Sequence, residues 1–205
     1  MKITDIENII INDIQNINSK WYKNSRKLIK ILAKKYNVEE KTICGILAIT
    51  SIRNTLKRNL ELTINVLNDL NNLYQSNPNL NFIDNLKTMN MIKKQLKNFL
   101  QYGKINGVKI TAFYHNLNGN DYEITIDIWI YRYFINRFNI KNRNKIKIII
   151  ANLSKKLNCK PAKLQEKIWI KSKQLYGRNI RDKNYNDYLK IYEKEFMYGG
   201  NINEN

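Results

Sequence analysis

The sequence contains few of the residues that build metal and disulfide sites. Among its 205 residues there are two cysteines, Cys44 and Cys159, and one histidine, His115. Two thiols cannot supply a four-cysteine zinc or iron–sulfur site, and a single imidazole does not complete a zinc site made from protein ligands alone. We therefore expect no transition-metal chemistry and no cofactor.

A long apolar run and a secretory leader are also missing. The densest apolar stretch, residues 146–153, is interrupted by Lys147 and Asn152 and falls short of the roughly 20 residues that a membrane helix needs. The N-terminal residues alternate isoleucine with Asp, Glu and Asn, without the basic start, apolar run and cleavage site of a signal peptide. We expect no membrane partner and a place in the cytoplasm of a bacterium or a phage-infected host cell.

Acidic residues are scarce relative to basic ones. The chain has 17 Asp and Glu against 36 Lys and Arg, which gives a formal net charge of +19. Such a surface attracts phosphate, and it predicts salt-sensitive binding of nucleic acid through counterion release. The alternative is a charged surface that is only solvated, because Lys, Asn and Ile also accumulate when codons are rich in A and T.

Proline and glycine, which interrupt helices, occur only two and seven times. Between them, apolar residues recur at intervals of three and four, the spacing of helices packed on a core. Strand signals are confined to residues 122–126, so we predict an all-α fold of nine or ten helices. We expect the tail, residues 199–205, to be mobile. The predicted helices are 25–36, 39–51, 55–74, 91–102, 109–116, 127–139, 145–157, 162–176 and 185–197.

The predicted helix 39–51 is apolar on almost every side, which is typical of a helix at the centre of a fold. Its small residues Cys44, Gly45 and Ala48 would allow another helix to approach closely. Ser51 and Arg53 follow at its end. They form either a plain helix-ending loop or a wedge that enters a base stack.

Residues 103–134 differ in composition from the rest of the chain. Gly103 and Gly107 permit a tight reversal whose amides can approach a phosphate, and the helix that follows would point its positive end at the same anion. Lys109 lies in the first turn of that helix, where the helix dipole and Lys104 both disfavour its protonated form. This is the kind of lysine that becomes a nucleophile, although most lysines are solvated charges or phosphate contacts.

Asp127 has the position of a helix N-cap, where it would accept amide bonds from Trp129 or Ile130. It follows Lys109 by eighteen residues, and an outgoing helix, a turn and a return would bring it back toward the lysine. A purely structural cap is the alternative. Trp169 and Gln165 share a helix face, which we interpret as core packing with a helix cap contact. The aromatic residues near Asp127 either stack an extruded base or, as is more common, lie in the core; they are Trp129, Tyr131, Tyr133 and Phe134.

This arrangement resembles the helix-hairpin-helix DNA glycosylase superfamily, whose lyase-type members have a Gly-x-Gly-x-Lys-Thr-Ala hairpin and an aspartate eighteen residues after the lysine. The Thr-Ala pair is displaced by one position here, to Thr111 and Ala112. Residues 44–67 are similar to the early helix pair of the family, and residues 161–177 are similar to small phage-encoded glycosylase-like proteins of unestablished role. The resemblance covers residues 20–177. The matching residues are Gly107, Lys109, Ala112, Ile126, Asp127, Ile130 and Arg132.

The resemblance implies a two-lobed helical bundle, with lobes at about 20–100 and 101–177 and terminal helices packed on them. It implies that a monomer binds duplex DNA with a flipped or damaged nucleotide and swings that nucleotide into a pocket between the lobes. Asp127 would stabilise the positive charge on the sugar, and Lys109 would form a Schiff base that allows strand cleavage. The expected DNA-binding residues are Ser51, Arg53, Gly103, Lys104, Gly107, Thr111 and Arg132.

Two other classes remain open at this point. A non-catalytic accessory DNA-binding protein of a phage or virus could use the same scaffold without the chemistry. An RNA-binding protein of similar charge would prefer single strands and would not recognise abasic sites.

Overall fold

The structure, a computed structural model, describes residues 2–73 and 80–177, and the prediction of an all-α fold is confirmed for this part of the chain. The predicted helix 185–197 and the tail 199–205 lie outside the described residues. The described part of the chain contains ten helices: α1 (Ile3–Ile14), α2 (Trp21–Tyr36), α3 (Glu40–Thr50), α4 (Leu56–Leu73), α5 (Phe82–Asn85), α6 (Asn90–Tyr102), α7 (Val108–Leu117), α8 (Ile128–Phe138), α9 (Arg143–Lys156) and α10 (Pro161–Tyr176).

The helices form two compact units. Among the described residues, unit 1 comprises 2–20 and 119–177, and unit 2 comprises 21–73 and 80–118. Helix α7 belongs to unit 2, where it packs on α2 and α3. Unit 1 is therefore made from two segments that are distant in sequence.

Unit 2 is organised around α3, against which α2, α4, α6 and α7 pack. Every side chain of α3 from Ile43 to Thr50 is buried, as the apolar pattern predicts. A Cβ atom on Gly45 would lie 2.0 Å from Cζ of Phe99 on α6, so only glycine lets the aromatic ring approach α3 this closely. The predicted close approach at the small residues of this helix is thereby confirmed.

Unit 1 packs α10 on α8, α9 and α1. Tyr133 and Phe134 of α8 are fully buried in its core, so these two aromatic residues have the core role and not the base-stacking role. The Tyr133 hydroxyl donates to Oδ2 of Asp13 on α1 at 2.7 Å, and the Arg137 guanidinium also binds this carboxylate. Burial alone would raise the pKa of Asp13, but these hydrogen bonds hold it below its usual value.

The segment 122–126 forms no strand in the described structure: Tyr122 lies in a turn, and residues 123–126 have no regular secondary structure. Ile124 and Ile126 are buried in the unit 1 core, and the Thr125 amide donates to Oε1 of Gln165 at 3.3 Å. A side chain of α10 therefore satisfies a backbone group that a neighbouring strand would otherwise bind. Residues 124–126 are all buried, so the alternation of residue types does not mark one buried and one exposed face.

Candidate nucleic-acid interface

The connection between α6 and α7, here called the hairpin, spans residues 103–107, and both of its glycines have positive φ. Gly103 ends α6 in the left-handed conformation, with φ of +67°, and its amide donates to the Phe99 carbonyl at 2.8 Å. Gly107 precedes α7 with φ of +101° and brings no side chain to cap that helix. Lys104 is exposed between them, and Val108 is 76% exposed at the start of α7. The hairpin and the start of α7 thus present the glycine backbone, the Lys104 cation and the apolar Val108 side chain to solvent.

Lys109 occupies the first turn of α7, as predicted, and its side chain is half-buried. Its Nζ donates to Oγ of Ser51 at 3.3 Å. The Ser51 hydroxyl in turn donates to the Ala48 carbonyl at 2.7 Å, at the end of α3. The contact fixes the direction of the amine and brings two predicted site residues together from positions far apart in the sequence.

The loop after α3 is a second exposed basic element of unit 2. Arg53 adopts a left-handed backbone conformation, with φ of +53°, and its side chain is exposed. The side-chain NH₂ group of Asn54 donates to the Thr50 carbonyl at 2.7 Å and closes the loop. Ser51 and Arg53 therefore lie in a helix-ending loop. Thr111 is half-buried on α7, one turn beyond Gly107.

Acidic residues near these elements are few. No Asp or Glu occurs between Asp84 and Asp121, a stretch that contains the whole hairpin and α7. Asp84 itself pairs with Lys97 at 2.6 Å, and Glu61 of α4 lies 3.4 Å from Arg58 and 3.8 Å from Lys57. The positive charge of the hairpin is therefore not balanced by neighbouring carboxylates in the sequence.

Asp127 caps α8 in unit 1, which confirms the prediction. Its Oδ1 accepts the amides of Trp129 at 3.0 Å and Ile130 at 2.9 Å, and its Oδ2 accepts the indole N–H of Trp169 at 2.8 Å. Three donors from α8 and α10 thus fix the orientation of the carboxylate. Trp169 packs against the unit 1 core and contacts the cap of α8, as the sequence interpretation proposed.

Arg132, the remaining predicted DNA-binding residue, is exposed on α8. Its guanidinium carbon lies 4.9 Å from the centroid of the Trp129 ring. Lys173 of α10 approaches the same ring at 5.9 Å and the Trp169 ring at 4.2 Å. Sequence reasoning did not find Lys173, because only the packing of α10 on α8 brings it to Trp129.

The predicted site residues are divided between the two units. Lys109 belongs to unit 2, together with Ser51, Arg53 and the hairpin glycines. Asp127 and Arg132 belong to unit 1. Within the described residues, no group of three or more His, Cys, Asp or Glu could hold a metal ion, and no helix has the length and apolar content to cross a membrane.

Comparison with known proteins places the chain in one family. No curated protein and no solved structure matched the sequence. The profile of a family of unknown function (DUF7178) matches residues 11–175. This span contains the hairpin, Lys109, Asp127 and every other predicted site residue. The chain therefore belongs to the DUF7178 family of unknown function.

Proposed function

We propose that this protein is a DNA-binding enzyme of the base-excision type, a DNA N-glycosylase whose lysine also allows cleavage at abasic sites. The observation that carries the proposal is the placement of Lys109. Its amine stands in the first turn of α7, directly after a glycine hairpin without acidic residues, and is oriented by the Ser51 hydroxyl. In this proposal the protein acts as a monomer in the cytoplasm of a bacterium or a phage-infected cell.

The hairpin accounts for binding to the DNA backbone. Amides at the start of α7 and the positive end of that helix attract a phosphate oxygen. Gly107 places no side chain between backbone and phosphate. Lys104 and Arg53 add charge, so we expect DNA affinity to fall steeply with salt.

The chemistry assigns one role to each reactive group. As the glycosidic bond of an extruded nucleotide breaks, positive charge grows on the sugar, and the carboxylate of Asp127 stabilises it. The Lys109 amine bonds to the anomeric carbon, and the base leaves with the electrons of the glycosidic bond and takes up the proton that the amine loses. The bond between the anomeric carbon and the ring oxygen then breaks; the oxygen keeps that electron pair and is protonated by water, while the nitrogen lone pair completes the C=N bond of the Schiff base. If water attacks in place of the amine, only the base is lost.

A non-catalytic DNA-binding protein, such as a phage or virus accessory factor, is the second candidate. The observation that favours it is the engagement of Asp127. Its carboxylate accepts three hydrogen bonds within unit 1, which is what a structural cap requires without any chemistry. The same hairpin would then bind DNA with no reaction.

Borohydride trapping separates the two candidates. The full chain is incubated with duplexes that carry an abasic site, uracil or an oxidised or alkylated base, and sodium borohydride reduces any Schiff base to a stable adduct. An adduct that Lys109→Ala abolishes and Lys104→Ala retains supports the enzyme. Release of free base is measured in parallel, because a water-using glycosylase gives no adduct. DNA binding with neither adduct nor base release on any duplex rejects the enzyme and leaves the accessory protein.

A further inference from the structure

Four side chains of unit 1 form a mixed aromatic and cationic surface, here called the indole cluster: Trp129 and Arg132 of α8, and Trp169 and Lys173 of α10. Arg132 is exposed, and the other three are half-buried. Both cations lie within 6 Å of the Trp129 ring centroid, at 4.9 Å for Arg132 and 5.9 Å for Lys173. This surface includes two of the three tryptophans of the chain.

One hydrogen bond holds the Trp169 ring, and another holds the backbone of Trp129. The indole N–H of Trp169 donates to Asp127 at 2.8 Å. The Ser172 hydroxyl donates to the Trp129 carbonyl at 2.6 Å and fastens the first turn of α8 to α10. Both hydrogen bonds join α8 to α10, so the relative position of the two helices that carry the rings is set before any ligand binds. A preformed aromatic surface loses little conformational entropy on binding.

The charge around the indole cluster suits an anion. No Asp or Glu occurs between Asp127 and Glu166, and ten Lys or Arg residues fall in that interval. Asp127 is committed to the α8 cap and the Trp169 indole, and Glu166 is 4% exposed and accepts the Ser19 hydroxyl. Proteins bind unpaired nucleic acid with aromatic rings, on which bases stack, and with nearby cations, which pair with phosphates.

We infer that the indole cluster binds an unpaired segment of DNA, with a base stacked at Trp129 and Arg132 and the adjoining phosphates paired with Arg132 and Lys173. A guanidinium plane over an indole offers a further flat face for a base. Paired bases inside a duplex do not expose these faces, so the cluster distinguishes unpaired from paired DNA. The inference rests on the proposed function only for its partner, DNA, and does not depend on the chemistry.

The test uses the full chain and an undamaged oligothymidylate of twelve nucleotides, so that no reaction takes part. Fluorescence anisotropy of the labelled strand gives affinity, and quenching of tryptophan fluorescence reports stacking. We expect Trp129→Ala to raise the Kd for the single strand about 10-fold and to change the Kd for a duplex of equal length less than about 2-fold. Arg132→Lys keeps the charge and loses the flat plane, so it should weaken single-strand binding more than the surface charge control Lys163→Ala.

A second set of variants covers the case in which Trp129→Ala does not fold. Trp129→Phe combined with Trp169→Phe keeps aromatic rings and leaves Trp21 as the reporter. The Trp21 ring packs against the buried rings of Tyr22 and Phe113 in unit 2, with centroids 4.8 and 5.7 Å away. We expect this double variant to keep most of its affinity and to lose the quenching.

Three results would overturn the inference. The first is quenching that persists in the double variant. The second is an unchanged affinity for the single strand in Arg132→Lys and, where that variant folds, in Trp129→Ala. The third is RNA of matched sequence that binds at least about 10-fold more tightly than DNA, since the ligand would then be a different one. If the trapping experiment gives neither an adduct nor base release, the glycosylase proposal is rejected, whereas the inference about single-strand binding is unaffected.

Discussion

The indole N–H of Trp169 donates a 2.8 Å hydrogen bond to Oδ2 of Asp127, the residue whose Oδ1 caps α8. One carboxylate therefore holds the start of α8 and joins it to α10. The same bond orients the acid that the proposed chemistry needs. Asp127 thus has a structural role as the cap of α8 and a proposed chemical role, and substitutions can test the two roles separately.

We predict that Asp127→Asn keeps most of the capping role of Asp127 and removes its proposed chemical role. The asparagine carbonyl can still accept the amides of α8, whereas its NH₂ group cannot accept the indole proton. The free energy of unfolding should fall by about 1.5–3 kcal/mol, for one lost hydrogen bond to a charged group, and any base release should fall by about 10²-fold or more. Urea denaturation and the base-release assay measure the two effects. Trp169→Phe is the matched control, because it loses the indole bond but keeps the carboxylate; equal losses of activity in both variants would contradict a direct role for Asp127.

Gly45→Ala should destabilise unit 2 strongly. The added Cβ would lie 2.0 Å from the Phe99 ring, and overpacking of a rigid core costs about 1–3 kcal/mol or more. Thermal unfolding followed by circular dichroism measures the loss. Phe99→Leu in the same chain removes the colliding ring, so the double variant should lose less stability than the sum of the two single variants. Additive losses would show that the contact does not limit the approach of α6 to α3.

The carboxyl of Asp13 makes stability depend on acid pH. Burial raises its pKa, but the hydrogen bonds from Tyr133 and Arg137 outweigh burial, so the folded-state pKa lies below the usual value. A lowered pKa stabilises the folded state above the unfolded-state pKa of about 3.9, and this contribution is lost as pH falls through the folded-state value.

We therefore expect Tyr133→Phe to cost about 1.5–3 kcal/mol at pH 7, as a lost hydrogen bond to a charged group, and less near pH 3. Urea denaturation at the two pH values measures the difference. An equal cost at both would contradict the assignment of the pH dependence to Asp13.

The affinity for duplex DNA should depend on the exposed cations of unit 2. We predict that Lys104→Ala and Arg53→Ala each weaken binding for all sequences alike and reduce the slope of log K against log salt by about one. Lys57→Ala is the matched control: Lys57 is also well exposed but lies 3.8 Å from Glu61, so its charge is partly balanced within α4. Titrations from 50 to 300 mM salt give the slopes, and an equal effect of all three substitutions would indicate general charge attraction.

The two thiols should react at different rates. Burial raises the pKa of Cys44 to about 12, so its thiolate is scarce at pH 8 and we expect iodoacetamide to modify it only after denaturation. Cys159 is half-buried, and burial raises its pKa as well. Mass spectrometry of the folded chain should show modification of Cys159 first. Rapid modification of Cys44 in the folded chain would contradict its burial in α3.

Local signals explain what the sequence predicted correctly. Apolar periodicity located eight of the described helices to within a few residues, because each buries one face. The cap at Asp127 and the left-handed glycines of the hairpin are properties of a few consecutive residues, and these were found. Helix α1 was not predicted, although Ile6, Ile10 and Ile14 are spaced as on one helix face. The single turn of α5 is too short to show a period.

Contacts between distant segments explain what was missed. Ser51 and Lys109 are 58 positions apart, and Asp127 and Trp169 are 42 positions apart. A single sequence has no marker that links such positions. Nothing in the sequence distinguishes Lys173 from other lysines, because its contact with Trp129 arises only from the packing of α10 on α8. The alternating residues 122–126 indicated a strand, because a pattern of residue types does not record whether a strand or a side chain satisfies the backbone; here Thr125 is buried as well and its amide donates to Gln165.

The discontinuous make-up of unit 1 has a consequence for synthesis of the chain. Helix α1 is made first, but the core that covers Ile10 and Ile14 comes from α8, α9 and α10. Residues 21–118 must be synthesised before those helices, so α8, α9 and α10 do not cover the apolar side of α1 during that interval. Nascent chains stalled near residue 118 should then present this side to chaperones.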